Sequence, residues 1–255
     1  MPAAKNAFKR MKMLRHPNVL MFQDGVENDK AIFIATERVQ PLFTYLRDSK
    51  ESDSQKENEI AWGLYQIATA LNFLNNDCKI VHNNVCMSSI VVNRAGEWKL
   101  TGFEYSHLID DTNIPLKILS TLDRYEPPEK SPIGNLKSST NRNLMQTESG
   151  VDSWGLGCLI WEIFNASLLP NPNSLQNVGN KIPKSLISSY QGLLSAQLNK
   201  RLNMSKFLSN CREKNSFMDN SFIQTLLFLE EIQVSGVLDF FLTLNLQMLK
   251  LFAQK

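Results

Sequence analysis

The stretch Val151 to Phe164, VDSWGLGCLIWEIF, carries only two charges, Asp152 and Glu162. A helix that is apolar nearly all round has no face to offer water, so this one is expected to be central and buried. Its Gly155-Leu156-Gly157 lies inside the helix and reads as a close packing point, not a phosphate cradle. A second helix is expected where Ile60, Leu64, Ile67, Leu71 and Leu74 recur at steps of four and three, which builds one core-facing stripe. Ala3 to Arg15 reads as a basic amphipathic helix that must stop before His16-Pro17. Ile32 to Thr36 reads as a short buried strand, and Pro41 opens a short helix through Leu46. Ile90 to Val92 and Trp98 to Leu100 read as strands joined by a turn at Arg94-Ala95-Gly96. Further helices are expected over Pro183 to Leu198 and Met204 to Cys211. Asp48 to Asn58 and Ser131 to Ser149 read as polar loops, and Pro170 and Pro172 mark another. After a polar boundary at Arg212 to Ser216 the chain turns apolar and helical again from Phe222 to Lys255. The fold class is α+β, mostly α.

Composition narrows the function. Hydrophobic residues make up 43% and charged ones 20% of the 255 residues, as in an ordinary globular chain. The net charge of +2 is spread without a basic stripe, so nucleic acid is not the expected partner. Cys78, Cys86, Cys158 and Cys211 are widely spaced and form no C-x-x-C pair, which argues against a zinc site or a disulfide framework and for a reducing compartment. Val237 to Phe252 is interrupted by Asp239, Asn245 and Gln247 and falls short of the roughly 20 residues a bilayer needs. A membrane span is therefore not expected, while peripheral recruitment stays open.

Seven segments, in order, resemble a protein kinase. RHPNVL (Arg15 to Leu20) is similar to the stretch after that fold's helix C. IFIATERVQPL resembles the strand and hinge, with Thr36 in the gatekeeper slot and Glu37 in the hinge. IVHNNVCMSSIVV (Ile80 to Val92) sits where the catalytic loop His-Arg-Asp-x-x-x-x-Asn belongs, and KLTGFEY (Lys99 to Tyr105) where the Asp-Phe-Gly segment belongs. RYEPPE (Arg124 to Glu129) resembles the end of the activation segment. VDSWGLGCLIWEIF and KRLNMSKFL resemble two C-lobe segments, the second carrying Arg201. The resemblance covers roughly residues 3 to 211.

The departures fall on the catalytic slots. Asn84 stands where the base aspartate belongs, and an amide has no negative charge with which to accept a substrate proton. Ser89 replaces the metal-binding asparagine, Gly102 the magnesium-chelating aspartate, Cys86 the catalytic-loop lysine, and Ala7 the helix C glutamate. In the usual kinase order the glycine-rich loop and ATP lysine need about 40 residues upstream, and only six precede Ala7. A kinase-like lobe lacking most of its N-terminal sheet is the expectation, with no cofactor and no metal. The resemblance also implies structural roles: a buried ion pair between Glu129 and Arg201, Asp152 holding the loop backbone, and His82 packed beneath it. A plain helix N-terminal acid is the alternative for Asp152.

More narrowly, QIATALNFLNNDCKIVHNNVCMSSIVVNRAGEWKLTGFEY and FLEEIQ (Phe228 to Gln233) are similar to the Scy-like, or N-terminal kinase-like, pseudokinases. That resemblance implies a cytoplasmic scaffold, peripheral at Golgi and ER–Golgi membranes, with vesicle-coat proteins such as coatomer as partners in Golgi-to-ER retrograde transport. It implies a pseudokinase domain over 1–211, then a linker and the start of a HEAT-type helical repeat region over 212–255. The alternatives are a weak or atypical protein serine/threonine kinase with residual ATP binding, or a nonfunctional truncated product, isoform or fragment.

Overall fold

The computed structural model describes residues 2–110, 127–129, 144–167, 181–213, 216–219 and 221–234. Helix α1 (Pro2–Met13) turns Ala7, Phe8 and Met11 inward and leaves its lysines outside. Strands β1 (Phe22–Glu27) and β2 (Ile32–Thr36) form an antiparallel pair in the register Val26 to Phe33 and Gly25 to Ile34. The Asn28 side chain accepts from the N–H groups of Lys30 (2.9 Å) and Ala31 (2.8 Å) and so shapes the turn between them. The Phe8 ring meets Phe22 edge-on at 6.0 Å, which docks α1 on this pair. Strand β1 escaped the sequence reading because FQDGVE has neither alternation nor apolar run.

A second sheet has the order β3 (Val39–Pro41), β5 (Ile90–Asn93), β6 (Trp98–Leu100), all antiparallel. Two-residue strands β4 (Ile80–Val81) and β7 (His107–Leu108) form a third. Helix α2 (Leu42–Asp48) follows Pro41 directly.

Helix α3 (Asp53–Asn72) begins inside the stretch read above as the loop Asp48 to Asn58. The correction has a local cause: Gln55 accepts from the Ser52 backbone N–H at 3.3 Å, the signature Ser-x-x-Gln start. Leu64, Ile67, Leu71 and Leu74 are fully buried, and α3 runs on into a π-helical turn, Phe73–Asp77. Helix α4 (Leu144–Asn165) starts seven residues before the apolar run and takes in the end of the segment read as a polar loop. Trp154, Leu156, Leu159 and Ile160 on it are completely buried. A Cβ at Gly155 would lie 2.9 Å from Val85 Cβ, so this glycine lets α4 touch the segment after β4. Each such buried aliphatic side chain contributes about 1.5–3 kcal/mol against about 1 kcal/mol for a typical hydrogen bond. The α3–α4 core therefore sets the fold, and the polar site is built on it.

Helices α5 (Lys184–Leu193), α6 (Met204–Cys211) and α7 (Ser221–Val234) complete the described lobe. Ile223 and Leu227 of α7 join the main core, while Phe222 and Phe228 are exposed. Arg212 donates to the Tyr65 hydroxyl on α3 at 2.7 Å and pairs with Glu231 on α7 at 3.5 Å. The expected second apolar helix, 237–252, and the loop prolines Pro170 and Pro172 lie outside the described residues. No helix among the described residues is long and apolar enough to cross a membrane.

Candidate functional site: a closed kinase catalytic loop

Asp152 sits two turns into α4, fully buried, so it is not a helix N-terminal acid. Its Oδ2 accepts from the His82 backbone N–H (2.9 Å) and from the Asn75 side-chain amide (2.8 Å), and its Oδ1 accepts from the Asn83 N–H (2.8 Å). Asn75 also donates to the Ile80 carbonyl at 2.9 Å. A buried carboxylate survives only if its lone pairs are met, and here three N–H groups meet them. The anchored loop turns sharply: Asn83 takes φ 62°, a left-handed conformation that asparagine tolerates better than most residues.

His82 is fully buried on this anchor, its ring edge-on to Phe103 at 5.1 Å. Nε2 donates to the Thr101 carbonyl (2.9 Å), and Nδ1 accepts from the Asn84 N–H (3.3 Å). Both nitrogens are satisfied in the neutral ring, whereas a protonated Nδ1 would face another N–H. Burial pushes the imidazole below the ordinary histidine range, outweighing the opposing pull of Asp152 and the Thr101 carbonyl. The ring is a core spacer and has no free nitrogen for acid–base work.

The three chemistry slots lie together and, through Cys86, form one hydrogen-bonded cluster. Asn84 Nδ2 donates to the Gly102 carbonyl at 3.1 Å. The Ser89 hydroxyl donates to the Cys86 carbonyl (2.9 Å) and accepts from the Cys86 N–H (3.1 Å). The Cys86 thiol donates to Asn84 Oδ1 at 3.5 Å. Gly102 adopts φ +82°, ψ 42°, and a Cβ there would lie 2.9 Å from Ser89 Cβ and 3.0 Å from Asn84 Nδ2. These residues do not fit a magnesium ion. They bring no carboxylate, and Asn84 Oδ1, Ser89 Oγ and the Gly102 carbonyl oxygen each already accept a hydrogen bond from within the cluster. Among the described residues no group of three His, Cys, Asp or Glu side chains is arranged to hold a metal.

Asn6, one residue before the helix C slot, escaped the sequence reading. Its amide nitrogen lies 3.2, 3.0 and 2.8 Å from the carbonyls of Phe103, Glu104 and Ser106, so it staples α1 to the segment after Gly102. Ala7 beside it is simply buried. Asn75 was missed too. Asn75 is a buried polar residue just beyond the apolar stripe of α3, the signal that could have found it, whereas Asn6 shares its helix face with Lys9 and Arg10 and gave none.

The remaining expected residues lie elsewhere. Thr36 ends β2, and its hydroxyl donates to the Glu37 carbonyl at 3.0 Å. Glu37 accepts from the Met21 N–H (3.2 Å) and the Asn93 amide (3.3 Å). Arg201 holds Glu129 bidentately, with Nη2 to Oε2 at 2.8 Å, and also donates to the Gly150 (3.1 Å) and Ser195 (2.8 Å) carbonyls. Its guanidinium lies over the Trp154 ring at 4.9 Å. The Arg201 and Glu129 side chains are 1% and 6% exposed, so this pair is interior and fully bonded.

The chain belongs to the protein kinase domain family, whose model matches residues 3–226. Within that family it is similar to Scy1-type proteins. It is 37% identical over 92% of its length to the probable inactive serine/threonine-protein kinase scy1 of Dictyostelium discoideum, of which it covers 27%. It is 29% identical over 90% of its length to the mouse protein associating with the carboxyl-terminal domain of ezrin, covering 29% of that protein. Human SCY1-like protein 2 is 28% identical over 40% of this chain, which covers 12% of it. The chain thus spans less than a third of the length of each of these relatives.

Two predictions follow from the geometry. Gly102→Asp, which restores the missing carboxylate, is expected to cost about 1–3 kcal/mol of stability from left-handed strain and crowding; an unchanged urea midpoint would contradict the packing. Acidification from about pH 7 to about pH 5.5 is expected to weaken the fold. The His82 imidazole titrates lower folded than unfolded, so the unfolded chain binds the proton first and gains up to about 1.4 kcal/mol per pH unit. His16, lowered by burial to about 4, adds to the same slope. His82→Gln should remove about one proton's worth of that slope in denaturation at several pH values; an unaltered slope would refute the neutral buried ring.

Proposed function

We propose that this chain is a catalytically inactive, kinase-fold scaffold that acts through protein contacts in Golgi-to-ER retrograde vesicle trafficking, with the coatomer coat as its partner. The observation that carries the inactive part is the closed cluster of Asn84, Cys86, Ser89 and Gly102. Phosphoryl transfer needs bound metal and a positioned base to steady charge as it develops. In this cluster the base slot donates a hydrogen bond to Gly102, and the chelating slot has no side chain. The name of the D. discoideum relative, probable inactive kinase, supports the same reading. The trafficking part rests on the likeness of NDCKIVHNNVCM and NRAGEWKL to Scy-like pseudokinases. The mouse relative's name, an association with ezrin's carboxyl-terminal domain, supports protein binding as the mode of action.

The test has two readouts. Purified chain with magnesium-ATP and generic protein substrates is expected to transfer no phosphate, and Asn84→Asp alone is expected not to create activity, because that change sets a carboxylate against the Gly102 carbonyl. Affinity purification of the tagged chain from cells is expected to enrich coatomer subunits. Magnesium-dependent transfer lost on changing Glu37 would overturn the inactive reading; no coatomer enrichment over a tag control would overturn the trafficking reading.

A further inference from the structure

A groove of about 330 Å³ opens beside the hinge, lined by Arg38, Val39, Gln40, Val92, Asn93 and Arg94. It shares no residue with the Asn84–Gly102 cluster. The β3–β5 ladder builds it: Val39 pairs with Asn93 and Gln40 with Val92. Arg38 immediately precedes β3 and Arg94 immediately follows β5, so the antiparallel pairing brings both to the same end of the ladder. Like charges brought to one end of a strand pair repel, and an acid beside them would relieve that.

Two acids are near in sequence, Glu37 and Glu97, and both are engaged elsewhere. Asn93 Nδ2 donates to Glu37 Oε2 (3.3 Å) and to Glu97 Oε2 (2.8 Å), Met21 N–H takes the other Glu37 oxygen, and Lys99 Nζ bonds Glu97 at 2.9 Å. Among the described residues neither Arg38 nor Arg94 forms an ion pair, and both are exposed. The two acids are drawn to Asn93 and Lys99, and among the described residues the two guanidinium groups that border the concavity have no acid partner.

We infer that this groove binds an oxyanion, a phosphate or carboxylate, between Arg38 and Arg94. The guanidinium fork matches both groups and bonds them with two parallel N–H donors. The volume takes one such group and the stub of whatever carries it. The carrier is either nothing, as in free phosphate, or an acidic or phosphorylated peptide side chain. The inference stands apart from the trafficking reading, since it needs neither coatomer nor catalysis.

Calorimetric titration of the full chain tests it with inorganic phosphate, a degenerate phosphoserine peptide pool, the same pool with glutamate, and the same pool with serine. The expected result is binding of phosphoserine and glutamate pools over serine, weakening as salt rises. Binding should fall about tenfold or more in Arg38→Glu/Arg94→Glu, but not in the equally charge-changed control Lys9→Glu/Lys12→Glu. Binding of inorganic phosphate with no gain from a peptide carrier supports the site with a free-anion source. Arg38→Gln/Arg94→Gln repeats the loss without reversing charge, and a thermal melt confirms that each variant is folded. No binding of any probe, equal binding of the serine pool, or equal loss in the control would overturn the inference.

Discussion

The carboxylate of Asp152 is the interaction on which the site depends. It is fully buried in α4 and receives N–H groups from Asn75, His82 and Asn83, residues 69 to 77 positions away in sequence. Hydrogen bonds to a charged group contribute about 1.5–3 kcal/mol each, and leaving such a charge unmet inside the core costs more. That carboxylate ties the turn after β4 to α4, whose residues Val151 to Glu162 are all buried. His82 is then set at a fixed height, with Phe103 on its edge and Thr101 on its Nε2.

On that rigid base the catalytic slots have closed on themselves. Asn84 and Gly102 bond across the gap in which a kinase would hold metal, and Ser89 turns back onto its own loop at Cys86. Each change supports the others. The left-handed Gly102 has no room for a side chain because Ser89 and Asn84 already fill it, and Asn84 must stay a donor because Gly102 presents a carbonyl. The Arg201–Glu129 pair, with its own backbone acceptors, holds the far side of α4 by separate bonds. Fold support and the kinase chemistry slots are thus carried by different residues, so the slots can change without loss of the fold.

How much of this was legible follows from the range of each interaction. Helix α3 was readable because its burial repeats with the helical period, and α4 because its run is apolar nearly all round; Leu64, Leu71, Leu156 and Leu159 are core residues. The substituted slots Asn84, Ser89 and Gly102 were readable from the kinase resemblance. Asn6 was not, because its partners are carbonyls 97 to 100 residues away, and no local pattern records a distant backbone oxygen. The start of α3 was misplaced because serine and charge mark caps as well as loops, and only the Ser52–Gln55 spacing separates them. Strand β1 was invisible because its exposed residues mask the few that pack against Phe8.

The central claim is that the kinase fold is kept here while its metal-dependent nucleotide chemistry is closed off. Thermal unfolding of the chain with ATP, in the presence and absence of magnesium, measures that most directly, since any ligand held by the folded state raises the midpoint. No magnesium-dependent rise is expected. A midpoint that climbs with nucleotide only when magnesium is present would contradict it.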